Sequence, residues 1–316
     1  MTVPLPTQKD VTMTNWTIAD IPQQTGRTAV VTGTGGLGYE DALALARAGA
    51  EVILAGRNAQ KGAEAVNRIR AAVPRARVGF EPLDLASLAS VAAFGARLRA
   101  MRDKLDLLVN NAGVMTPPRR QVTADGFELQ FGTNYLGHFA LTAALLPLLR
   151  AGDGARVVTL GSVAARDGAI DFADLNAERG YAPMPVYARS KLACVMFALE
   201  LQRRSAAAGW GVASMAAHPG ISRTDLLHNA PGRRSGVGLL RSALWFLFQP
   251  AAQGALPTLF AATAPDAQPG AYYGPARFRE TRGHPTLARV PPAASDAGAA
   301  ARLWEISEGM AGVRFG

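Results

Sequence analysis

The chain has 316 residues, of which 49% are hydrophobic and 18% are charged, and its formal net charge at pH 7 is +9. A chain of this length can bury a large core, and its composition is that of a globular protein, which excludes a fibrous or disordered one. The basic residues are spread out, without a long basic run or a metal-ligand spacing of His, Cys and carboxylates. This pattern argues against nucleic-acid binding and against a metal site.

The N-terminal segment, residues 1–17, is polar, and we predict a flexible extension there, with Met13 as an alternative start. It lacks the apolar core of a signal peptide, and no run of roughly 18 apolar residues that could span a membrane occurs in the sequence. Cys194 is the only cysteine, which excludes an intramolecular disulfide and fits a reducing compartment. We therefore expect a cytoplasmic protein with a single domain over residues 18–316.

A glycine-rich loop follows the first predicted strand, Thr28–Thr32, and precedes an Ala/Leu-rich helix predicted near 36–49. Glycines let the chain turn sharply and approach a pyrophosphate, which the free N–H groups of a helix N-terminus can bind. The motif G-x-G-x-x-G in this strand–loop–helix context predicts a dinucleotide site, with an ordinary glycine-rich turn as the alternative. The predicted cradle comprises Gly33, Gly35, Gly36, Leu37 and Gly38.

The second predicted strand, Glu51–Ala55, ends where dinucleotide-binding folds carry the residue that reads the ribose. No acid stands there; Arg57 does. A carboxylate would bind the 2′-hydroxyl of NAD(H), whereas a guanidinium suits the 2′-phosphate of NADP(H). We therefore predict a preference for NADP(H), with NAD(H) as the alternative if Arg57 is only a solvated loop residue.

Strand-like and helix-like segments continue to alternate as far as residue 217, which predicts a parallel sheet with helices on both faces. The fold is thus expected to be a single-domain, Rossmann-type doubly wound α/β structure. Further strands are predicted at Arg77–Glu81, Leu105–Asn110, Arg156–Leu160 and Val212–Ala217. Further helices are predicted near 58–72, 87–102, 127–150 and 186–208.

Tyr187 and Lys191 lie one turn apart on the same face of the helix predicted near 186–208. An ammonium beside a phenol favours the ionised phenol, which suits a side chain that exchanges a proton near neutral pH. The pair is common on surface helices, so it indicates an acid–base site only together with the dinucleotide signal. His138 and His218 are predicted to be packed, structural residues.

The pattern changes after Pro219. Residues 221–250 combine Gly and Pro with an apolar stretch, and we predict a C-terminal substrate lid there. A helix is predicted near 251–264 and a last one near 296–308. The intervening residues 265–300 are rich in Pro, Gly and Ala, and no strand is predicted in them.

With these elements placed, the chain resembles the short-chain dehydrogenase/reductase superfamily, and more closely its retinol-dehydrogenase-like branch. The resemblance rests on seven motifs in the family's order, together with the long interval between Ser162 and Tyr187 and the C-terminal Tyr273-Gly274-Pro275. Two departures are visible: the glycine loop is one residue shorter than is usual, and Gly161 stands where many members have a serine. Besides the glycine loop, the motifs are Asp84-Leu85, Asn110-Asn111-Ala112-Gly113, Asn134, Ser162, Tyr187 with Lys191, and Pro219-Gly220 with Thr224.

The resemblance implies a role for each matching residue. Asn134, Ser162, Tyr187 and Lys191 would be catalytic: Tyr187 exchanges the proton and Lys191 also binds the nicotinamide ribose. Ser162 would donate a hydrogen bond to the reacting oxygen, and Asn134 would hold a water that links Lys191 to solvent. The remaining cofactor contacts implied are Asp84, Leu85, Asn111, Ala112, Gly113, Pro219, Gly220, Ile221 and Thr224.

The activity implied is hydride transfer between NADP(H) and a carbonyl or a primary or secondary alcohol, with a hydrophobic small-molecule substrate. A homodimer or homotetramer is expected as well. The alternative is a catalytically weak nucleotide-binding sensor or scaffold, which the shortened glycine loop favours and the complete set of four catalytic residues disfavours. Neither the physiological substrate nor the direction of the reaction follows from the sequence.

Overall fold

The computed structural model describes residues 15–222 and 249–315, and in this part of the chain eight strands form one sheet in the order β3-β2-β1-β4-β5-β6-β7-β8. All neighbouring strands are parallel except β7 and β8. The strand order reverses between β1 and β4, which creates a crevice at the carboxyl ends of these strands. The strands are β1 Thr28–Thr32, β2 Glu51–Gly56, β3 Val78–Pro82, β4 Leu107–Asn110, β5 Arg156–Leu160, β6 Ala213–Ala217, β7 Tyr272–Arg277 and β8 Arg282–Leu287.

Helices cover both faces of this sheet. Successive residues of β1 alternate between two hydrophobic clusters, since Val30 belongs to one and Ala29 and Val31 to the other. This burial on both faces is that of a doubly wound α/β fold, as predicted. The α-helices are α1 Gly36–Arg47, α2 Ala59–Ala72, α3 Leu88–Met101, α4 Gly137–Arg150, α5 Pro183–Ala208, α6 Ala251–Gly254, α7 Leu256–Thr263 and α8 Ala297–Ala311. In the described residues, none of the helices is long and apolar enough to cross a membrane.

The hairpin of β7 and β8 corrects two expectations: residues 265–300 contain strands, and the sheet is not purely parallel, because β8 runs antiparallel to β7. Pro275 and Pro285 lie opposite each other in this pair, and proline is depleted in strands because it cannot donate to the ladder. An irregularity in register between Pro275 and Arg277 accommodates the pair.

Two predicted segments extend beyond the described residues. Residues 223–248, which include Thr224 and most of the predicted lid, lie outside them, and so do residues 1–14. Residues just before 18 are packed, since the ring of Trp16 lies 5.4 Å from that of Phe260 and its carbonyl accepts from His284 Nδ1 at 3.1 Å.

The C-terminal helix α8 packs against α4 and α5. Trp304 of α8 is 1% exposed, and its ring lies 5.0 Å from Phe139 of α4 and 5.7 Å from Phe197 of α5. Phe315, just after the helix, adds a ring 4.3 Å from Trp304. The aromatic cluster of these four residues therefore joins the end of the chain to the two helices that flank the crevice.

Candidate active site

A cleft of about 740 Å³ opens at the carboxyl ends of the strands, where the strand order reverses. Thirteen of the residues predicted from the sequence line it, from the glycine loop at one end to the Tyr187 helix at the other. They are Gly33, Gly35, Gly36, Leu37, Asn111, Ala112, Gly113, Ser162, Tyr187, Lys191, Pro219, Gly220 and Ile221. One continuous cavity thus brings together motifs that are up to 188 residues apart, from Gly33 to Ile221.

The glycine loop is packed so closely that side chains could not be accommodated. A Cβ atom at Gly38 would lie 2.5 Å from the Gly33 carbonyl oxygen, and Gly33 itself has φ +95°, in the left-handed region. Gly35 caps α1 without a side-chain hydrogen bond, which leaves N–H groups at the helix N-terminus for a ligand. These features fit the pyrophosphate of a dinucleotide, although the loop is one residue short.

Thr32, the last residue of β1, connects this loop to the end of β4. Its hydroxyl oxygen accepts from the backbone N–H groups of Asn111 at 2.9 Å and Ala112 at 3.0 Å. Because these two donors occupy its lone pairs, the hydroxyl proton is left for an acceptor, and the Val109 carbonyl at 3.2 Å and His138 Nε2 at 2.9 Å are both within reach. A carbonyl oxygen can only accept, so His138 Nδ1 carries the ring proton and donates to the Asn134 carbonyl at 2.9 Å.

A π-helical segment, Phe131–Leu136, holds Asn134 and runs directly into α4. The Asn134 side chain accepts from the Val114 N–H at 2.7 Å and donates to the Val114 carbonyl at 2.9 Å and to Ser190 Oγ at 3.0 Å. The backbone carbonyl of Asn134 accepts from His138 Nδ1 and, at 3.2 Å, from Cys194 Sγ. A water on this carbonyl would therefore compete with two protein donors. Asn134 lies behind the cleft, beside Gly113, rather than in its lining.

Ser162 ends the turn after β5 and caps the 3₁₀ helix Val163–Asp167, accepting from the Ala164 N–H at 3.2 Å. Because its oxygen accepts there, the hydroxyl proton remains available to a ligand in the cleft. Gly161 stands in place of a serine because a Cβ atom there would lie 2.8 Å from Val195 and 3.0 Å from the Tyr272 hydroxyl. The departure at this position thus reflects close packing of β7 against the site.

Tyr187 and Lys191 both lie in α5, which begins with Pro183 at its first turn. They are 6% and 5% exposed, and both face the cleft. Lys191 Nζ donates to the Leu160 carbonyl at 2.9 Å, which fixes the ammonium beneath the end of β5. Among the described residues, the Tyr187 hydroxyl makes no hydrogen bond, so it is open to a ligand.

Some predicted residues lie apart from the cleft lining. Gly38 and Asn134 support it from behind, whereas Arg57 is exposed beyond its edge and Asp84 and Leu85 lie in the turn after β3. Sequence reasoning missed the residues of α2 that line the cleft, among them Lys61, Glu64 and Arg68, and the apolar residues Met115 and Met184. The spacing of Lys61, Glu64 and Arg68 places them on one helix face with two basic groups and one acidic group, a signal that the sequence offered.

His138, predicted to be structural, is 1% exposed, and burial lowers its pKa from 6.5 to about 4. The unfolded chain then binds a proton that the folded chain excludes between these pH values, so the free energy of unfolding should fall as the pH is lowered through this window. We expect a loss of up to roughly 3 kcal/mol. Denaturant titrations at pH 7, 6 and 5 give the free energy of unfolding of the wild type and of His138→Gln. The difference between their pH dependences isolates the contribution of His138, because the other titrating groups are common to both proteins. Equal pH slopes in the two proteins would contradict the prediction.

Comparison with known proteins decides the family. Residues 27–234 match the family model for short chain dehydrogenases. The chain belongs to the short-chain dehydrogenase family. A crystal structure of a protein from Mycobacterium paratuberculosis superposes on this short-chain dehydrogenase with a TM-score of 0.80, at 39% sequence identity over 96% of this chain and 100% of the other.

Curated relatives place it in the retinol-dehydrogenase-like branch, as predicted. It is 46% identical to the polyprenol dehydrogenase of Mus musculus over 78% of this chain and 74% of the relative. It is 38% identical to retinol dehydrogenase 14 of Mus musculus over 91% of this chain and 86% of the relative. This short-chain dehydrogenase is accordingly an oxidoreductase of alcohol and carbonyl groups.

Proposed function

We propose that this short-chain dehydrogenase transfers hydride between NADP(H) and a carbonyl or a primary or secondary alcohol of a hydrophobic substrate. The observation that carries the proposal is that Ser162, Tyr187 and Lys191 line the same cleft as the glycine loop. A dinucleotide bound along this cleft would supply the hydride at its nicotinamide end. The Tyr187 hydroxyl would then give or take the oxygen-bound proton.

Ser162 and Lys191 would support this proton transfer from fixed positions. The free hydroxyl proton of Ser162 can be donated to an oxygen as negative charge develops on it. The Lys191 ammonium, held by the Leu160 carbonyl, places a positive charge one helical turn from the Tyr187 phenol. Asn134 bonds to Val114, in the loop after β4, and to Ser190 of α5, and so holds this loop against the helix that carries Lys191.

An apolar substrate suits the remaining walls of the cleft. Met115, Met184 and Ile221 line it, and Met184 and Ile221 are 49% and 36% exposed, so they offer apolar surface to a ligand. The relatives are named for retinol and polyprenol, which are both alcohols. We therefore propose an alcohol with an apolar chain, or the corresponding carbonyl compound, as the substrate.

The test of this function is NADPH consumption, followed by absorbance, with a panel of aldehydes, ketones and quinones of increasing chain length, and the reverse reaction with the matching alcohols. Turnover should rise with chain length until the cleft is filled. Binding of NADPH without turnover of any carbonyl or alcohol would instead support a nucleotide-binding sensor.

Cofactor preference is proposed to come from basic residues around the adenosine end of the cleft. Lys61 and Arg68 of α2 line it, and Arg57 stands just before this helix. A charge-assisted hydrogen bond to a phosphate is the kind of contact that distinguishes NADPH from NADH. Because these side chains are accessible to solvent, the loss of any one of them should have a modest effect.

We expect Arg57→Ala and Lys61→Ala each to weaken NADPH binding by roughly 3- to 10-fold and to leave NADH binding unchanged, since only NADPH carries the 2′-phosphate. Calorimetric titration of both cofactors provides the measurement. Arg47→Ala is the matched control, because this substitution also removes one positive charge. Arg47 is exposed and lies at the C-terminal end of α1, whereas the glycine loop precedes the N-terminal end of this helix. Parallel weakening of both cofactors, or tighter binding of NADH by the wild type, would contradict the assignment.

A further inference from the structure

The hairpin between β7 and β8 turns through three consecutive residues in the left-handed region: Phe278, Arg279 and Glu280, with φ of 51°, 55° and 65°. None of them is glycine, so this backbone costs free energy and persists only where its surroundings hold it. Thr281 closes the turn, with its N–H donating to the Arg277 carbonyl at 3.1 Å. The strained turn lies next to the cleft, because Thr281 accepts from the N–H of the cleft residue Ile221. The contacts that hold the turn in place can therefore affect the shape of the cleft.

Glu280 makes these contacts with its carboxylate. Oε2 pairs with Arg166 at 2.5 Å and accepts from His218 Nε2 at 2.9 Å, while Oε1 accepts from the Arg289 N–H at 3.1 Å. Arg166 also donates to the carbonyl of Arg279 at 3.3 Å. Burial works against the charged form, but these donors outweigh it and lower the pKa of Glu280. The carboxylate is thus ionised at neutral pH and joins three separate parts of the chain.

His218 transmits this contact to the cleft wall. It is fully buried after β6, and its Nδ1 accepts from the Gly220 N–H at 3.2 Å. Because an N–H group donates to Nδ1, the ring proton lies on Nε2 and points to Glu280. Burial lowers the pKa of His218, so the ring stays neutral and keeps both bonds near neutral pH.

The backbone of the hairpin also touches this wall directly. The Ile221 N–H donates to the Thr281 carbonyl at 2.9 Å. Gly220 has φ +63°, and a Cβ atom there would collide with the same carbonyl. The cleft wall formed by Pro219, Gly220 and Ile221 therefore packs against the turn that Glu280 stabilises.

Arg166 links Glu280 to the segment that presents Ser162. It lies in the 3₁₀ helix Val163–Asp167, which Ser162 caps. Glu280 is therefore bonded on one side to the helix that presents Ser162 and on the other to the histidine that holds Gly220. Ser162 and the segment of Pro219, Gly220 and Ile221 line the same cleft as Tyr187.

We propose that Glu280 is a positioning residue that sets the spacing between Ser162 and the wall of Pro219, Gly220 and Ile221, and thereby shapes the nicotinamide end of the cofactor site. The proposal rests on the proposed function, since it presumes that NADP(H) lies along the cleft. It does not involve the basic residues of α2, Lys61 and Arg68, which line the cleft but make no hydrogen bond or ion pair with Glu280 or its partners in the described residues.

The test compares a whole cofactor with a fragment that reaches only the adenosine end. Calorimetry with NADPH and with adenosine 2′,5′-bisphosphate is carried out on the wild type, Glu280→Ala and Glu280→Gln. We expect Glu280→Ala to weaken NADPH binding by about tenfold or more, with the affinity for the bisphosphate unchanged. Glu280→Gln, which keeps an acceptor oxygen, should show a smaller loss of the same kind. The value of kcat should fall as well, because Ser162 moves with Arg166.

The matched control is Glu308→Ala. Glu308 likewise pairs with an arginine, Arg314, at 2.6 Å and accepts from the Phe315 N–H at 3.1 Å, but it lies on α8 away from the cleft. It should leave both affinities unchanged. Gly220→Ala, which pushes the wall off the Thr281 carbonyl, should reproduce the selective loss of NADPH binding.

Parallel loss of both ligands in Glu280→Ala would show a general structural role and overturn the proposal, and so would unchanged binding of NADPH. If Glu280→Ala does not fold, Glu280→Gln decides by the same measurement, the loss of NADPH affinity relative to the loss of bisphosphate affinity. Failure of the proposed function has a different signature in the wild type itself. A wild type that binds NADPH but turns over no carbonyl or alcohol would refute the function and leave the comparison of the two ligands valid, whereas a wild type that binds no NADPH would overturn both proposals.

Discussion

Replacing Tyr187 with phenylalanine is expected to lower turnover by at least about 100-fold, as is usual when a positioned acid–base group is removed. The variant keeps the ring, which is 6% exposed in the wall of the cleft, and loses only the hydroxyl. Because the described residues offer that hydroxyl no other hydrogen bond, its removal leaves no buried group without a partner. NADPH binding and the thermal midpoint should therefore stay close to those of the wild type, and steady-state kinetics with calorimetry separate the two effects.

Tyr181→Phe is the control for this variant. Tyr181 is a second phenol just before α5, but its hydroxyl donates to the Pro117 carbonyl at 2.8 Å and accepts from Gln130 Nε2 at 3.2 Å, outside the lining of the cleft. Its loss should cost stability and leave kcat within about threefold of the wild-type value, since no acid–base group is lost. Comparable turnover in the Tyr187→Phe variant and the wild type would remove Tyr187 from the mechanism.

Phe139→Ala is expected to lower the free energy of unfolding by roughly 3–5 kcal/mol, the usual cost of emptying a buried phenylalanine site. Phe139 is fully buried in α4, with the rings of Trp304 and Phe315 each 5.0 Å away. Both rings also pack against Phe197 of α5, at 5.7 and 6.3 Å, so they cannot easily move into the cavity. Urea denaturation measures the loss.

The matched control is Phe278→Ala, because Phe278 is 71% exposed at the tip of the β7–β8 hairpin. It should change the free energy of unfolding by no more than about 0.5 kcal/mol. A similar loss in the two variants would mean that Phe139 is less constrained than its neighbours indicate.

The parts of the fold with a strong local signal could be predicted from the sequence. The strand over Thr28–Thr32 was placed at its observed bounds because apolar β-formers fill it and a glycine loop ends it. The alternation of strands and helices up to Ala217 then determined the doubly wound sheet. The lining of the cleft by Ser162, Tyr187 and Lys191 also agrees with the motif order, because the carboxyl ends of parallel strands meet at one edge.

Features that depend on distant contacts could not be predicted. The strands β7 and β8 are not apparent from their residues, because prolines and glycines weaken the local strand signal and pairing with β6 overrides it. The π-helical turn that contains Asn134 is bonded to distant residues, because the Asn134 side chain accepts from the Val114 N–H at 2.7 Å and donates to Ser190 Oγ at 3.0 Å. Glu280 carries no motif at all, since its three partners come from separate elements.

The position of α8 has a consequence for assembly. Its Trp304 stacks on α5 and packs edge-on against α4, so the outward apolar stripe of these two helices is already satisfied within one chain. A second copy could pair through that stripe only by displacing fifteen residues of helix, Ala297–Ala311, together with their aromatic contacts. A homodimer or homotetramer, which the sequence analysis expects, would therefore use other surfaces. Ending the chain before Ala297 would expose the apolar side chains that α8 covers and so favour aggregation.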